Sequence, residues 1–95
     1  MTLRWTASAL SDLEAIGDYI ARDNPSAAAK TVTHIFTQVD RLATHPHLGR
    51  AGRVPETREL IVGGTPFVVP YRVRGDTVEV LAVLHAARRW PGNFL

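Results

Sequence analysis

The dipeptide Gly75-Asp76 constrains this chain more than any other feature. It separates two valine-rich runs, Phe67–Arg74 and Thr77–His85. A two-residue loop with Gly first fits a primed turn, whose twist matches that of paired antiparallel strands. Such a turn sets the register: Arg74 faces Thr77, Val73 faces Val78, Arg72 faces Glu79, and so on to Phe67 facing Leu84. Side chains alternate along a strand. Phe67, Val69, Tyr71, Val73, Val78, Val80, Ala82 and Leu84 then share one face, and every one is apolar or aromatic. The other face holds Val68, Pro70, Arg72, Arg74, Thr77, Glu79, Leu81, Val83 and His85. Pro70 breaks the pattern, because it brings no N–H to a ladder. A bulge at 70, or a position near the sheet edge, is expected.

The rest of the chain supplies cover for the apolar face. Leu3 and Trp5 alternate with Thr2 and Arg4, a short first strand. Thr6 or Ser8 caps a helix whose Leu10, Leu13, Ile16 or Gly17, and Ile20 recur at three- and four-residue spacing. Asp23-Asn24-Pro25 ends it and starts a second, with Asn24 as cap and Pro25 at the first helical position. Ala28, Val32, Ile35, Phe36, Val39 and Leu42 form the apolar face of this second helix, and His45-Pro46 closes it. The short link makes a helical hairpin. Residues 45–57 read as a long loop, Arg58–Val62 as a strand, and Gly63-Gly64 as a turn. The expected fold is α+β: a short N-terminal strand, a two-helix hairpin, then a three-stranded antiparallel meander, with the helices on one face. At 95 residues this is a single domain, 1–95.

Composition removes whole classes of function. There is no cysteine, hence no disulfide framework, thiolate zinc site or cysteine nucleophile. His45 and His47 lack a third ligand, so no metal is expected. Neither glycine pair precedes a helix as a phosphate loop requires, and no cofactor is expected. The longest apolar run, Val80–Leu84, cannot span a membrane, and the N-terminus lacks a signal-peptide layout. A soluble, cytoplasmic protein with no membrane partner is expected.

The charge is lopsided. Residues 1–47 hold four basic and five acidic side chains; residues 48–95 hold seven arginines and four acids. Ten of the eleven basic residues are Arg, whose planar fork suits phosphate and carboxylate. The uncovered sheet face is expected to carry Arg58, Arg72, Arg74 and His85, with Arg88, Arg89 and Trp90 close by. Two readings stand for this set: a surface for an anionic partner, or a solvated face. Exposed Val68, Leu81 and Val83 would need cover from a partner or from the tail.

The segments Trp5…Ala9…Asp12-Leu13…Ile16…Tyr19-Ile20, Asn24-Pro25…Ala28, Leu42…His45-Pro46…Gly49-Arg50, Arg58-Glu59-Leu60, Pro70-Tyr71-Arg72-Val73 and Val80–His85 resemble, in that order, the RelE/ParE superfamily of toxins from bacterial type II toxin–antitoxin modules. The resemblance covers nearly the whole chain. It implies a toxin that arrests growth and is neutralised by a cognate antitoxin whose C-terminal segment wraps around it. It also implies that any contact with DNA is indirect, through the antitoxin. RelE-like members cleave mRNA on the ribosome without a metal; ParE-like members inhibit DNA gyrase without chemistry. The nuclease pattern is incomplete here. The only lysine is Lys30, Phe67-Val68-Val69-Pro70 stands where those members carry an arginine, and no tyrosine follows Tyr71. The wording Tyr71-Arg72-Val73…Val83-Leu84-His85 is similar to the ParE-like branch. The resemblance thus implies gyrase as the target, with ribosome-dependent RNA cleavage as the alternative.

Were the chain a nuclease, His85 and Arg72 would carry its chemistry, the imidazole moving a proton and the guanidinium holding the phosphate. Each also has a structural reading. His85 would fix the tail at the core rim, and Arg72 would pair with Glu79 across the hairpin. Strand alternation lets only one of Arg58 and Glu59 reach the uncovered face, and Arg58 is the expected one. His34 reads as solvated, His45 as a helix C-cap, and Trp90 as a plug over the core edge or a base-stacking platform.

Overall fold

Thr6 starts the first helix as expected: its hydroxyl oxygen accepts from Ala9 N–H at 3.2 Å, and Ser8 plays no part in the cap. The computed structural model describes residues 1–92 and 94. Strand β1 is Thr2–Trp5, helix α1 Ala7–Ala21 and helix α2 Pro25–Asp40. Asn24 caps α2 by accepting from Ala27 N–H at 3.0 Å, with Pro25 behind it at the first helical position. A 3₁₀ turn, Arg41–Ala43, ends the hairpin. Gly17 lets the two helices close: a Cβ there would lie 3.2 Å from Val32 Cγ2. On α1 the buried residues are Ala9 and Leu13, whereas Leu10 is 46% exposed.

Five further strands complete the sheet: β2 Arg50–Ala51, β3 Arg58–Ile61, β4 Phe67–Arg74, β5 Thr77–Val80 and β6 Leu84–His85. Their order is β1-β5-β4-β3-β2, with β6 paired to β4 beyond the end of β5. β1 runs parallel to β5; the other pairs are antiparallel. The core lies between the sheet and the hairpin. Leu13, Ile35, Val39 and Leu42 meet Val62, Val69, Tyr71, Val78, Val80 and Val83 there.

The hairpin register holds from Arg74↔Thr77 to Tyr71↔Val80, and Gly75 takes the positive φ of 60° that its turn requires. Then it slips. Phe67 faces His85 and Val68 faces Leu84, so the expected strand Thr77–His85 is two strands separated by a bulge. Pro70 explains where. Its carbonyl accepts from Leu81 N–H at 2.9 Å, but it has no N–H to return to Leu81. The ladder fails at that point, on the partner strand. Thr6 offers its hydroxyl instead, to Val80 O at 2.8 Å and Leu81 O at 3.4 Å, and Asp12 Oδ2 accepts from Val83 N–H at 3.0 Å.

One extra residue reverses every side chain beyond it. Val83 joins the helix-side core, and Leu84 pairs with Val68 on the opposite face. His85 pairs with Phe67 on the helix side and meets its ring edge-on at 5.8 Å between centroids. The expectation that His85 shares a face with Arg72 and Arg74 is therefore corrected.

Candidate functional site

The face turned away from the helices carries two carboxylates, each held between two arginines. In the sheet row Arg4–Glu79–Arg72, Arg72 Nε donates to Glu79 Oε1 at 2.7 Å, and Arg4 pairs with Oε2 from the parallel strand β1. Beside it, Glu59 Oε1 takes Arg50 Nη2 at 3.1 Å. Its Oε2 takes Arg53 N–H at 2.9 Å and the Arg53 side chain at 3.4 Å. Arg74 stands exposed at the end of the same face. Five arginines against two glutamates leave this surface strongly positive.

Burial pushes the Glu59 carboxyl up. The Arg53 N–H, the Arg50 hydrogen bond and both guanidinium charges outweigh it and hold the group below the usual carboxylate range. Hydrogen bonds from Arg4 and then Arg72 hold Glu79 low in the same way.

Half of this face is closed by the chain itself. Val68, Leu81 and Pro70 are buried although they lie outside the helix-side core. The loop after β2 meets the C-terminal tail at Glu59, the cross-strand partner of Pro70. Arg53 reaches Glu59 from the loop, and its guanidinium stacks on Trp90 at 3.4 Å from the ring centroid. Trp90 Nε1 donates to His85 O at 3.1 Å, and the Phe94 ring lies 6.3 Å from the indole. Trp90 thus fastens the tail to both the strand end and the loop. The uncovered half is the part with Arg4, Arg72, Glu79 and Arg74.

Arg58 is not on this surface. It pairs with Tyr71, a helix-side residue, so Glu59 takes the opposite face, the reverse of the expectation. The Arg58 guanidinium donates to Gly49 O at 2.8 Å and His47 O at 3.3 Å. Tyr71 completes the same knot, accepting from Gly49 N–H and donating to Pro46 O, both at 2.8 Å. Burial raises the Tyr71 hydroxyl above its ordinary range, and the Gly49 N–H and the Arg58 charge offset only part of that rise. These two side chains hold the 45–51 segment on the sheet. His34, expected to be solvated, has Nε2 2.8 Å from Gly63 O.

His85 and Arg88 instead line a groove of about 510 Å³ between α1 and the β4–β6 ladder, with Ile16, Tyr19, Ile20 and Phe67. Arg89 lies with Asp12 and Trp90 along an adjoining cleft of about 240 Å³. The sequence residues thus fall into two groups, Arg72 with Arg74 on the sheet face and His85 with Arg88 on the helix side. Sequence reasoning passed over Arg4, Arg50, Arg53 and Tyr19 as site residues. Alternation with Leu3 and Trp5 already set Arg4 on the polar face, but its pairing to Glu79 depends on a parallel register that no local turn encodes. Among the described residues no cluster of three or more His, Asp or Glu could hold a metal, and no helix is long and apolar enough to cross a membrane.

This architecture has relatives. A family model described as "ParE toxin of type II toxin-antitoxin system, parDE" matches residues 3–90. The chain is 49% identical over 89 residues to toxin Y4kP of Sinorhizobium fredii, covering 94% of this chain and 92% of that one. It is 40% identical over 84 residues to toxin RelE2 of Caulobacter vibrioides, covering 88% and 93%. A solved structure described as the chromosomal ParDE TA system from P. aeruginosa superposes with a TM-score of 0.79 at 37% identity, covering 87% of this chain and 92% of that one. With its strand–hairpin–sheet order and near-complete overlap, this chain belongs to the ParE toxin family of type II toxin–antitoxin systems.

Proposed function

We propose that this toxin arrests growth in the cytoplasm by binding and inhibiting DNA gyrase, without catalysis of its own, until an antitoxin neutralises it. The observation that carries the reading is the separation of His85 from Arg72: His85 pairs with Phe67, five positions along β4 from Arg72, and the bulge turns it to the opposite face. Cleavage of RNA by its own 2′-OH needs a base, an acid and a cation around one phosphate, each within hydrogen-bond reach of about 2.6–3.2 Å. The imidazole lies on the helix side beside Phe67, while the Arg72 guanidinium is spent on Glu79 across the sheet. The likeness to a ParDE system supports the same branch. The surface offered to gyrase is the uncovered part of this face, where exposed Arg74 stands beside the net-positive Arg4–Glu79–Arg72 triad and steers an acidic partner.

A supercoiling assay with purified gyrase and toxin tests this. Loss of supercoiling is expected, relieved in the Arg72→Ala and Arg74→Ala forms. Intact supercoiling together with mRNA cuts on translating ribosomes, abolished by His85→Ala, would establish the nuclease alternative instead.

A further inference from the structure

We propose that the uncovered part of the sheet face binds the phosphate backbone of duplex DNA, the segment that gyrase itself holds, so that the toxin engages the enzyme and its DNA at once. The proposal rests on the gyrase reading and names the partner of this surface. It departs from the expectation that DNA is met only through the antitoxin.

Two rows of cross-strand neighbours build the surface: Thr2–Thr77–Arg74 and Arg4–Glu79–Arg72. Neighbouring strands lie about 4.8 Å apart, so each row spans about 10 Å. The Glu79 side chain is 10% exposed, whereas those of Arg4 and Arg72, bound to its two oxygens, are 56% and 27% exposed. One sunken carboxylate thus anchors two guanidiniums. Arg72 bonds through Nε at 2.7 Å and Arg4 through Nη2, which leaves further N–H groups on both forks for incoming oxygens. Among the described residues Arg74 pairs with no carboxylate. Planar forks of this kind take phosphate oxygens two at a time.

The composition of the rows selects the partner. The centre of a protein–protein interface is apolar and depleted of charge. These rows hold three arginines, one glutamate and two threonines, and no apolar side chain. Surfaces that bind DNA are more polar and far more positive. The absence of a ring from both rows argues for a duplex. A single strand is held by exposed aromatic side chains on which its bases stack. Tyr71, next to Arg72 along β4, is buried in the helix-side core, and Trp90 already carries the Arg53 guanidinium at 3.4 Å. A duplex presents its phosphates with the bases still stacked, and contacts to phosphates alone carry no sequence preference.

The test measures toxin binding by surface plasmon resonance to immobilised gyrase, either bare or loaded with a DNA duplex of arbitrary sequence. Circular-dichroism melting serves as a fold check on each variant. The duplex should tighten binding by about tenfold, and the gain should shrink as salt rises. Arg74→Ala and Arg72→Ala should each erase most of the gain, and Arg74→Ala should lower the slope of log affinity against log salt by about one. Equal affinity for bare and loaded gyrase, weakened to the same extent in both by Arg74→Ala, would overturn the DNA contact, assign the face to gyrase protein, and leave the gyrase reading standing. No binding to either form would overturn the gyrase reading and this proposal together.

Discussion

Tyr71 shows how one side chain sets the position of a whole segment. Its hydroxyl sits between Gly49 N–H and Pro46 O, and its ring is fully buried. Tyr71→Phe would leave a buried donor and a carbonyl unpaired, at a cost of about 1–3 kcal/mol. For a domain of this length that lowers Tm by about 4–8 °C per kcal/mol, measurable by calorimetry. Gly49 is fixed by the same contact. A Cβ there would lie 2.7 Å from Tyr71 Cε1 and 2.9 Å from Glu59 O, with backbone on one side and a buried ring on the other. Gly49→Ala should therefore destabilise more than Tyr71→Phe, in the same melting experiment.

At the scale of elements, the break between β5 and β6 decides which residues meet. Pro70 removes one ladder bond, and Thr6 and Asp12 hold the displaced segment from the start of α1. Asp12→Ala should free the buried Val83 N–H, cost about 1–3 kcal/mol, and speed hydrogen exchange at Val83 well beyond that at Val78. A second prediction concerns the Arg–Glu–Arg triads. Glu59 and Glu79 both titrate below the ordinary range in the folded chain. Their contribution is therefore complete above the unfolded carboxyl pKa of about 4.3 and is lost as pH falls through the lower folded values. Melting temperature measured from pH 7 down to pH 3 should fall, and Glu59→Gln should flatten that fall while lowering the pH 7 value.

Much of this layer was legible beforehand. The Thr6 and Asn24 caps, the hairpin, and the register from Arg74↔Thr77 to Tyr71↔Val80 follow from local residue chemistry. Pro70 signalled a fault but not on which strand it would appear, because the fault is absorbed by its partner. Arg58 escaped because the face of β3 is set by long-range pairing to Tyr71, not by the Arg58-Glu59 sequence. Leu10 escaped because the buried stripe of α1 runs through the small Ala9, fully buried, and not through its larger neighbour.

At the scale of the whole molecule, the bulge divides the basic residues between two surfaces. One is the guanidinium row of the sheet, with the Arg53–Trp90 stack of loop and tail at one side. The other is the groove beside α1. Removing Trp90 should loosen that loop. Trp90→Ala is expected to weaken protection of the Arg53 amide in hydrogen exchange while leaving that of core amides such as Val39 unchanged.

The central claim is that His85 lies on the helix side and cannot act together with Arg72. Nuclear Overhauser contacts from the His85 imidazole test it most directly. The structure predicts contacts to the Phe67 ring and none to Pro70 or the Arg72 side chain. Contacts to the Val68 side chain, without the Phe67 ring, would restore the uninterrupted hairpin register and contradict the account.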